Sequence, residues 1–593
     1  MIESRTFHHE RLAGVLVPVF ALRREQDLGI GDTTCLEQLV DWASELGIQF
    51  LQILPINEPC GDNSPYNAVS SVALDPLTID TSPGRIPELT EAAYQEAIAG
   101  VSLPALRQGP VNYPEVKAVK HTLLRRAFEN FRSLHFGQKT ERERQFLRFC
   151  AEERLWLYDY CLFRLLMDRS PSRENWEEWP SEYNTVEKAR AWLDQSLLQN
   201  KEGTEAHLAY YAYLQFIAFE QWDHVSRHAA ARQVKLMGDI PFGVSRCSVD
   251  VFAHPDLFDL EWCGGAPPET NFKDDEFVVR FGQNWGIPLY RWDVMARDNY
   301  AWWKQRVAKL AHFFQIFRID HALGFYRIYS FPWRPERNQE FLRLSPEEVL
   351  QRTHGRHPGF NPGPDDTEEF RARNRALGEQ YLRAIRDAAG SSAIVAEDLG
   401  TVPTYVPESL LSIGLAGMRV PMWVNDEQGE FRRGTSYPHL TLATYATHDH
   451  EPIRTQWEKN RRVALSSHDP GAAWQSRIFL ERLARFADIH GFDNGYIPEY
   501  SDHIRECLLD ALFQTNSRYA SVMITDLLGL EDRFNVPGVL SDANWSQRLP
   551  MTVRELQENP YWTTLGTQIR NHLKDSGRFP RNAREETLTH TLL

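Results

Sequence analysis

Basic residues are in short supply: 65 Lys and Arg stand against 81 Asp and Glu, a net charge of −16. A field of that sign repels phosphate backbones and anionic lipid, which argues against nucleic acid or a membrane as the main partner. A neutral partner such as a sugar meets no such barrier. Cysteine is scarce and unpatterned. The seven thiols, at 35, 60, 150, 161, 247, 263 and 507, are odd in number and include no Cys-x-x-Cys pair. That fits reduced thiols in a cytoplasm better than a disulfide frame or a zinc site. Long hydrophobic runs are missing too. The first, Val15 to Leu22, has about eight residues against the roughly 20 needed to cross a bilayer. The charged start MIESRTFHHERLAG has no apolar segment of the signal-peptide kind. The expected location is cytoplasmic. No internal repeat or low-complexity tract stands out.

What is present is an ordinary globular balance, 42% hydrophobic and 25% charged, over 593 residues, enough for a large barrel with insertions. Short β-rich runs punctuate the chain: VLVPVF from Val15, FLQILPIN from Phe50, VKLMGDIPF from Val234 and FQIFRID from Phe314. They continue with AIVAEDLG from Ala393, GMRVPMW from Gly417, LATYATHD from Leu442 and SVMITDLLG from Ser521. Most follow a helical stretch. In the first such stretch Leu36, Leu39, Val40, Ala43 and Leu46 make one apolar stripe, Thr34 and Glu37 have the spacing of a capping box, and Gly47 ends the helix. Eight buried strands alternating with helices predict a closed (β/α)8 TIM barrel of the α/β class. The expected organisation is one catalytic barrel over 1–593. An inserted region occupies 60–232 (helical from about 117), and a second helical insertion occupies 450–516. The aromatic-rich runs of the 60–232 region, LWLYDYCLFRLLMD and LAYYAYLQFIAFEQW, are expected to be core, and HPGFNPGPDD at 357–366 a surface loop. After the eighth run about 65 residues remain, too few for a β-sandwich of the usual ~100.

Barrel active sites lie at the C-terminal ends of the strands. Acids stand there on five runs: Asp239, Asp320, Glu397, Asp449 and Asp526. A lone Asp after a strand is more often a helix cap, but five converging on one mouth need a further explanation, because like charges gather at a cost. Arg318 and Asp320 are two apart and share a strand face. The arginine is expected to lower the pKa of Asp320 and keep it ionised as a nucleophile. Glu397 sits among apolar neighbours, which is expected to raise its pKa and suit it to proton donation. Strands about 4.8 Å apart can set two carboxylates at the roughly 5–5.5 Å that a retaining glycosidic mechanism uses. Asp449 is the third acid.

Several motifs then fall in order along the chain. They are Ser64-Pro65-Tyr66, Gly238-Asp239-Ile240-Pro241-Phe242-Gly243-Val244, Ser248-Val249-Asp250-Val251, Gly265-Ala266-Pro267-Pro268 and Gly282-Gln283-Asn284-Trp285-Gly286 with Pro288-Leu289-Tyr290. Arg318-Ile319-Asp320-His321, Ala396-Glu397-Asp398-Leu399-Gly400 and Thr447-His448-Asp449 complete the set. In this order and spacing the chain resembles, over nearly its whole length, the amylomaltases or disproportionating enzymes (4-α-glucanotransferases, glycoside hydrolase family 77). The resemblance implies a (β/α)8 barrel with subdomains in its loops and no C-terminal β-sandwich, acting on malto-oligosaccharides and on glycogen or starch-type glucan. It implies Asp320 as nucleophile, Glu397 as acid/base and Asp449 as transition-state stabiliser. Arg318, His321 and His448 are implied as contacts of the sugar at the cleavage point, with Tyr66 stacking on it and Asp239 and Asp250 nearby. Trp285 and Tyr290 are implied beside the acceptor side. Two departures bear on the choice of acceptor: a lengthened loop at 269–281 opening with Glu269, and His450 where Asn is commoner.

Three carboxylates and an arginine account for the chemistry, so neither a metal nor another cofactor is expected. The alternatives are an α-amylase-like hydrolase, which shares the first half-reaction, and a metal-dependent barrel hydrolase using His448-Asp449-His450. An inactive binding protein would have lost an acid, and all three are present.

Overall fold

The computed structural model describes residues 10–269, 275–492, 496–539 and 541–580. Its strands are β1 (Leu12–Leu16), β2 (Phe50–Gln52), β3 (Lys235–Ile240), β4 (Phe258–Ala266), β5 (Gln283–Tyr290), β6 (Ile316–Ile319), β7 (Ile328–Phe331), β8 (Gly359–Asn361), β9 (Ala393–Ala396), β10 (Gly417–Arg419), β11 (Thr441–Ala443) and β12 (Tyr519–Met523). The eight β-rich runs supply one parallel sheet, in the order β10-β11-β12-β1-β2-β3-β6-β9. It closes on itself through a parallel bridge between Val395 and Ala416, where the Ala396 N–H donates to the Ala416 carbonyl at 2.7 Å. This is the (β/α)8 barrel. The first strand begins earlier than its apolar run and stops before Pro18, which has no N–H to continue a ladder.

Closure buries one side chain layer inside the barrel. Leu12, Phe50, Met237, Ile316, Val395, Met418, Leu442 and Tyr519, one from each strand, form a cluster of their own. Room for the Phe50 ring comes from Gly14 on the neighbouring strand, where a Cβ would lie 2.2 Å from the ring. Beneath this layer Arg578, fully buried, donates to the carbonyls of Leu12, Phe513, Thr515 and Ser517. With no carboxylate among those partners, burial pushes its pKa down to about 9, and the neighbouring Arg11 pushes the same way.

Between β2 and β3 the chain forms helices Tyr113–Leu134, Glu141–Glu152, Arg154–Arg169, Val186–Gln199 and Lys201–Ala231. Most rings of the two aromatic runs are buried there, among them Tyr160, Phe163, Tyr213 and Trp222. Helices Ile453–Ser466, Pro470–Phe486 and Asp502–Phe513 fill the connection from β11 to β12. No helix of the described residues is long and apolar enough to cross a membrane.

Three local readings are corrected. Helix Thr33–Leu46 is capped by Asp32, whose carboxylate accepts the Cys35 N–H at 3.0 Å, and not by a Thr34–Glu37 box. Thr34 is engaged by Asp80, and Glu37 by Arg85 and His224, all long-range partners that outbid the local one. The 357–366 segment contains β8, the edge of a four-stranded antiparallel sheet in the order β5-β4-β7-β8. That sheet went unread because β4, β5 and β8 carry Gly, Pro or polar residues in place of an apolar run, and β7 is only four residues long. Within the lengthened loop, residues 270–274 lie outside the described residues, and Glu276–Phe281 is a short helix.

Gly14→Ala forces a methyl into the Phe50 ring and is expected to cost about 1–3 kcal/mol, read as a lower denaturation midpoint. Adding Phe50→Leu should recover part of that loss; strictly additive losses would contradict the contact.

Candidate active site

Side chains alternate along a strand. With Ile316 in the interior layer, Arg318 and Asp320 also face inward, stacked above it at the C-terminal end of β6. The register sets Asp239 of β3 level with Arg318, and Arg318 level with Val395 of β9, two residues before Glu397. Three adjacent strands therefore deliver three acids to one guanidinium. Arg318 Nη1 reaches Asp239 Oδ2 at 2.6 Å, while its Nη2 reaches Asp320 Oδ1 at 2.8 Å and Glu397 Oε2 at 3.1 Å. The last two oxygens share one nitrogen, so they lie within about 6 Å of each other, short of the roughly 6.5–9.5 Å of an inverting pair. The side chain of Arg318 is 2% exposed, whereas those of Asp320 and Glu397 keep 28% and 20% open, so the cation is the floor and the two acids face the cleft.

Charge decides the protonation pattern. Burial raises Asp320 well above the usual carboxylate range, and Arg318 offsets this only in part because Glu397, Asp239 and Asp449 add to the burden. Burial also opposes ionisation of Glu397, but Arg318 and the His321 N–H, which donates to Oε2 at 2.6 Å, hold its pKa below normal. The two shifts, Asp320 raised and Glu397 lowered, run opposite to the expectation from sequence. Two effects invisible in the strand pattern produce the reversal: Arg318 serves both acids, and the backbone of His321 serves only Glu397. His321 is held at φ +45°, a left-handed conformation rarely adopted by a non-glycine residue and found where a site requires it. Burial lowers its ring to about 4, so it is neutral.

Asp449 closes the opposite flank. Burial would raise it, but His448, whose Nε2 lies 3.3 Å from Oδ2, and Asn535, which donates to Oδ1 at 2.5 Å, keep it ionised well below the usual range. Arg533 donates to its backbone carbonyl. Tyr66 stacks on His448 (centroids 4.9 Å, 18°) and donates its hydroxyl to Asp239 Oδ2 at 2.7 Å, with Trp545 packed beside both rings. Trp285 stands edge-on to His321 at 4.8 Å.

Tyr66, Asp239, Trp285, Arg318, Asp320, His321, Glu397, His448 and Asp449 therefore form one connected group. Asp250 and Tyr290 do not join it. Asp250 accepts the N–H and hydroxyl of Ser71, pinning the loop that follows Tyr66. Tyr290 is buried among aromatic rings with its hydroxyl on the Phe242 carbonyl at 2.6 Å. The fifth acid, Asp526, also stays apart: it lies in helix Ile524–Leu528, where burial raises it to about 7, and it accepts the Ile453 N–H at 2.7 Å. Arg533, Asn535 and Trp545 were missed. All three follow β12, and a search of every βα-connection for polar and aromatic residues, in place of strand ends alone, would have found them.

The His448-Asp449-His450 triplet does not converge. His448 faces Asp449, whereas His450 turns back so that its Nδ1 accepts the Thr447 N–H at 3.2 Å. Among the described residues no group of three His, Cys, Asp or Glu is arranged to hold a metal ion.

Comparison with known proteins gives the family. The family model for 4-alpha-glucanotransferases of glycoside hydrolase family 77 matches residues 17–552. A 4-alpha-glucanotransferase of Chlamydia caviae is 28% identical over 558 residues, covering 92% of this chain and 91% of its own. The Thermus thermophilus 4-alpha-glucanotransferase is 28% identical over 513 residues, covering 85% and 88%. In fold, the chain is similar to the amylomaltase from Streptococcus agalactiae solved with acarbose, at a TM-score of 0.71 and 22% identity, over 96% of this chain and all of that one. A match spanning most of the sequence settles the affiliation: the chain belongs to the 4-alpha-glucanotransferase family.

Proposed function

We propose that the protein moves a segment of an α-1,4-linked glucan from donor to acceptor by a retaining double displacement, with Asp320 as nucleophile, Glu397 as acid/base and Asp449 as transition-state stabiliser. The observation that carries this reading is the single guanidinium of Arg318 held by Asp239, Asp320 and Glu397 at once. It holds two partly exposed carboxylates side by side on one cation, which supports a retaining pair over the wider-spaced inverting one.

In the first step a lone pair of Asp320 forms a bond to the anomeric carbon as the glycosidic C–O bond breaks. Glu397 gives its proton to the departing oxygen. In the second step an acceptor hydroxyl returns its proton to Glu397 and displaces Asp320, so all atoms and charges balance. The first step needs the shared proton on Glu397 when a donor is bound, and the second needs Glu397 ionised so that it can take a proton back. The pKa shifts of the ligand-free site favour the shared proton on Asp320, so donor binding has one proton to relocate between two oxygens that already share a nitrogen. A basic glycosidic oxygen set against Glu397 favours that relocation, because it offers the proton an acceptor there and leaves Asp320 free to ionise beside Arg318. Asp449, ionised and within reach of sugar hydroxyls, stabilises the positive charge that develops on the ring. Malto-oligosaccharides and glycogen or starch-type chains are the substrates this reading assigns.

With maltotriose, the expected products are glucose and longer oligosaccharides with no net gain of reducing ends. Reducing ends that rise in step with substrate loss would make the protein a hydrolase. Asp449→Asn should lower kcat by roughly 10²–10³-fold with little change in donor KM, because its contribution belongs to the transition state. Asn535→Ala should move kcat the same way by a smaller factor. A rise in KM with unchanged kcat for either variant would place Asp449 in ground-state binding instead.

A further inference from the structure

Two exposed tryptophans pack on histidines that adjoin the three acids. Trp285, 39% exposed, packs on His321, whose backbone N–H holds Glu397. Trp423, 50% exposed in the short turn after β10, packs on His450, the residue that follows Asp449, with ring centroids 5.0 Å apart. Indole faces left open at a cleft rim suit the C–H face of a pyranose, since the rest of the site is polar and mostly covered.

His450 carries a group that the three-carboxylate chemistry leaves unused. Its Nδ1 accepts the Thr447 backbone N–H at 3.2 Å and lies 2.8 Å from Thr447 Oγ1, which in turn accepts the Asp449 N–H at 3.4 Å. A ring nitrogen that accepts a backbone N–H bears no proton, so the neutral imidazole is the Nε2–H tautomer. Burial lowers the pKa of His450, which keeps the ring neutral, and the charges of both Asp449 and Glu397 act on it. Nε2 has no hydrogen-bond partner among the described residues. The turn that returns Nδ1 to Thr447 thus fixes an unspent N–H donor beside an exposed indole.

We propose that His450 Nε2–H and Trp423 form an acceptor-sugar contact, the N–H donating to a hydroxyl of the incoming glucose unit while the indole covers its C–H face. This rests on Glu397 being the acid/base, because the attacking hydroxyl must reach that carboxylate to lose its proton. The donor sugar at Asp320 is already bounded on the other flank by Tyr66, His448 and Trp545. A sugar held this way outcompetes water for the glycosyl-enzyme, so His450 and Trp423 are positioning residues that set the ratio of transfer to hydrolysis.

The test compares wild type with His450→Ala, His450→Gln and Trp423→Ala, using α-maltosyl fluoride as donor and glucose as acceptor. The fluoride burst reads the first half-reaction; the KM for glucose and the ratio of maltotriose to free maltose read the second. Loss of one hydrogen bond should raise the glucose KM roughly 3- to 10-fold in His450→Ala, with a burst changed by no more than about twofold. The maltotriose-to-maltose ratio should fall in parallel. Trp423→Ala should shift both readings of the second half-reaction in the same direction, and His450→Gln, which keeps an N–H donor, should recover part of the loss. Wild-type glucose KM in both His450→Ala and Trp423→Ala overturns the proposal. So does a defect confined to the burst, which would make His450 a brace for Asp449. Maltose release by wild type that ignores added glucose would instead overturn the transferase reading, and the acceptor contact with it.

Discussion

The contact of one buried arginine with three acids is the constraint around which the site is built. Arg318 cannot leave: its side chain is 2% exposed, and Asp239, itself buried, holds Nη1 from the next strand. Burying this charge without partners would be prohibitive, and burying Asp239, Asp320 and Glu397 without it equally so. Each makes the others tolerable, and because three acids outnumber one cation the carboxyl pKa values are driven apart, Asp320 up and Glu397 down. The proposed chemistry moves a proton between those two. The site is an electrostatic compromise that is not fully neutralised.

The barrel supplies the geometry at little extra cost. Strand register alone sets Asp239 beside Arg318 and brings Glu397 within reach, with no loop having to order first. The interior layer from Leu12 to Tyr519 fixes that register, because slipping any strand by one residue would turn its inward set outward. At the far end of the barrel Arg578 shows the contrasting case. Surrounded by carbonyls and lacking an acid, it fastens strand ends, and its pKa falls where that of Arg318 rises. The same side chain is structural at one end of the barrel and organises acids at the other, according to its partners.

Much of this was legible in the sequence because it depends on short-range patterns. Eight apolar runs and a period of two were enough to place Arg318, Asp320 and Glu397 on one inner wall. What stayed hidden depends on long-range partners. The reversed pKa shifts of Asp320 and Glu397 come from a guanidinium shared across strands and from the backbone of His321, neither of which leaves a trace in local composition. Tyr290 lies in a motif beside Trp285, yet an aromatic cluster draws it into the core. Asn535 and Trp545 are remote in sequence from every motif and join the site only because β12 pairs with β1 and β11 in the barrel wall. His450, a departure from the commoner Asn, was visible as an oddity; its fixed tautomer needed the turn at Thr447.

The account stands or falls on covalent chemistry at Asp320. The most direct measurement is mass spectrometry of peptides from Glu397→Gln after mixing with α-maltosyl fluoride, whose leaving group needs no acid. With the acid/base removed, the enzyme should be glycosylated and then stall, because nothing deprotonates the acceptor. The account predicts a maltosyl adduct on the peptide containing Asp320, absent from the Asp320→Asn protein. An adduct on any other carboxylate, or normal turnover by Asp320→Asn, would contradict it.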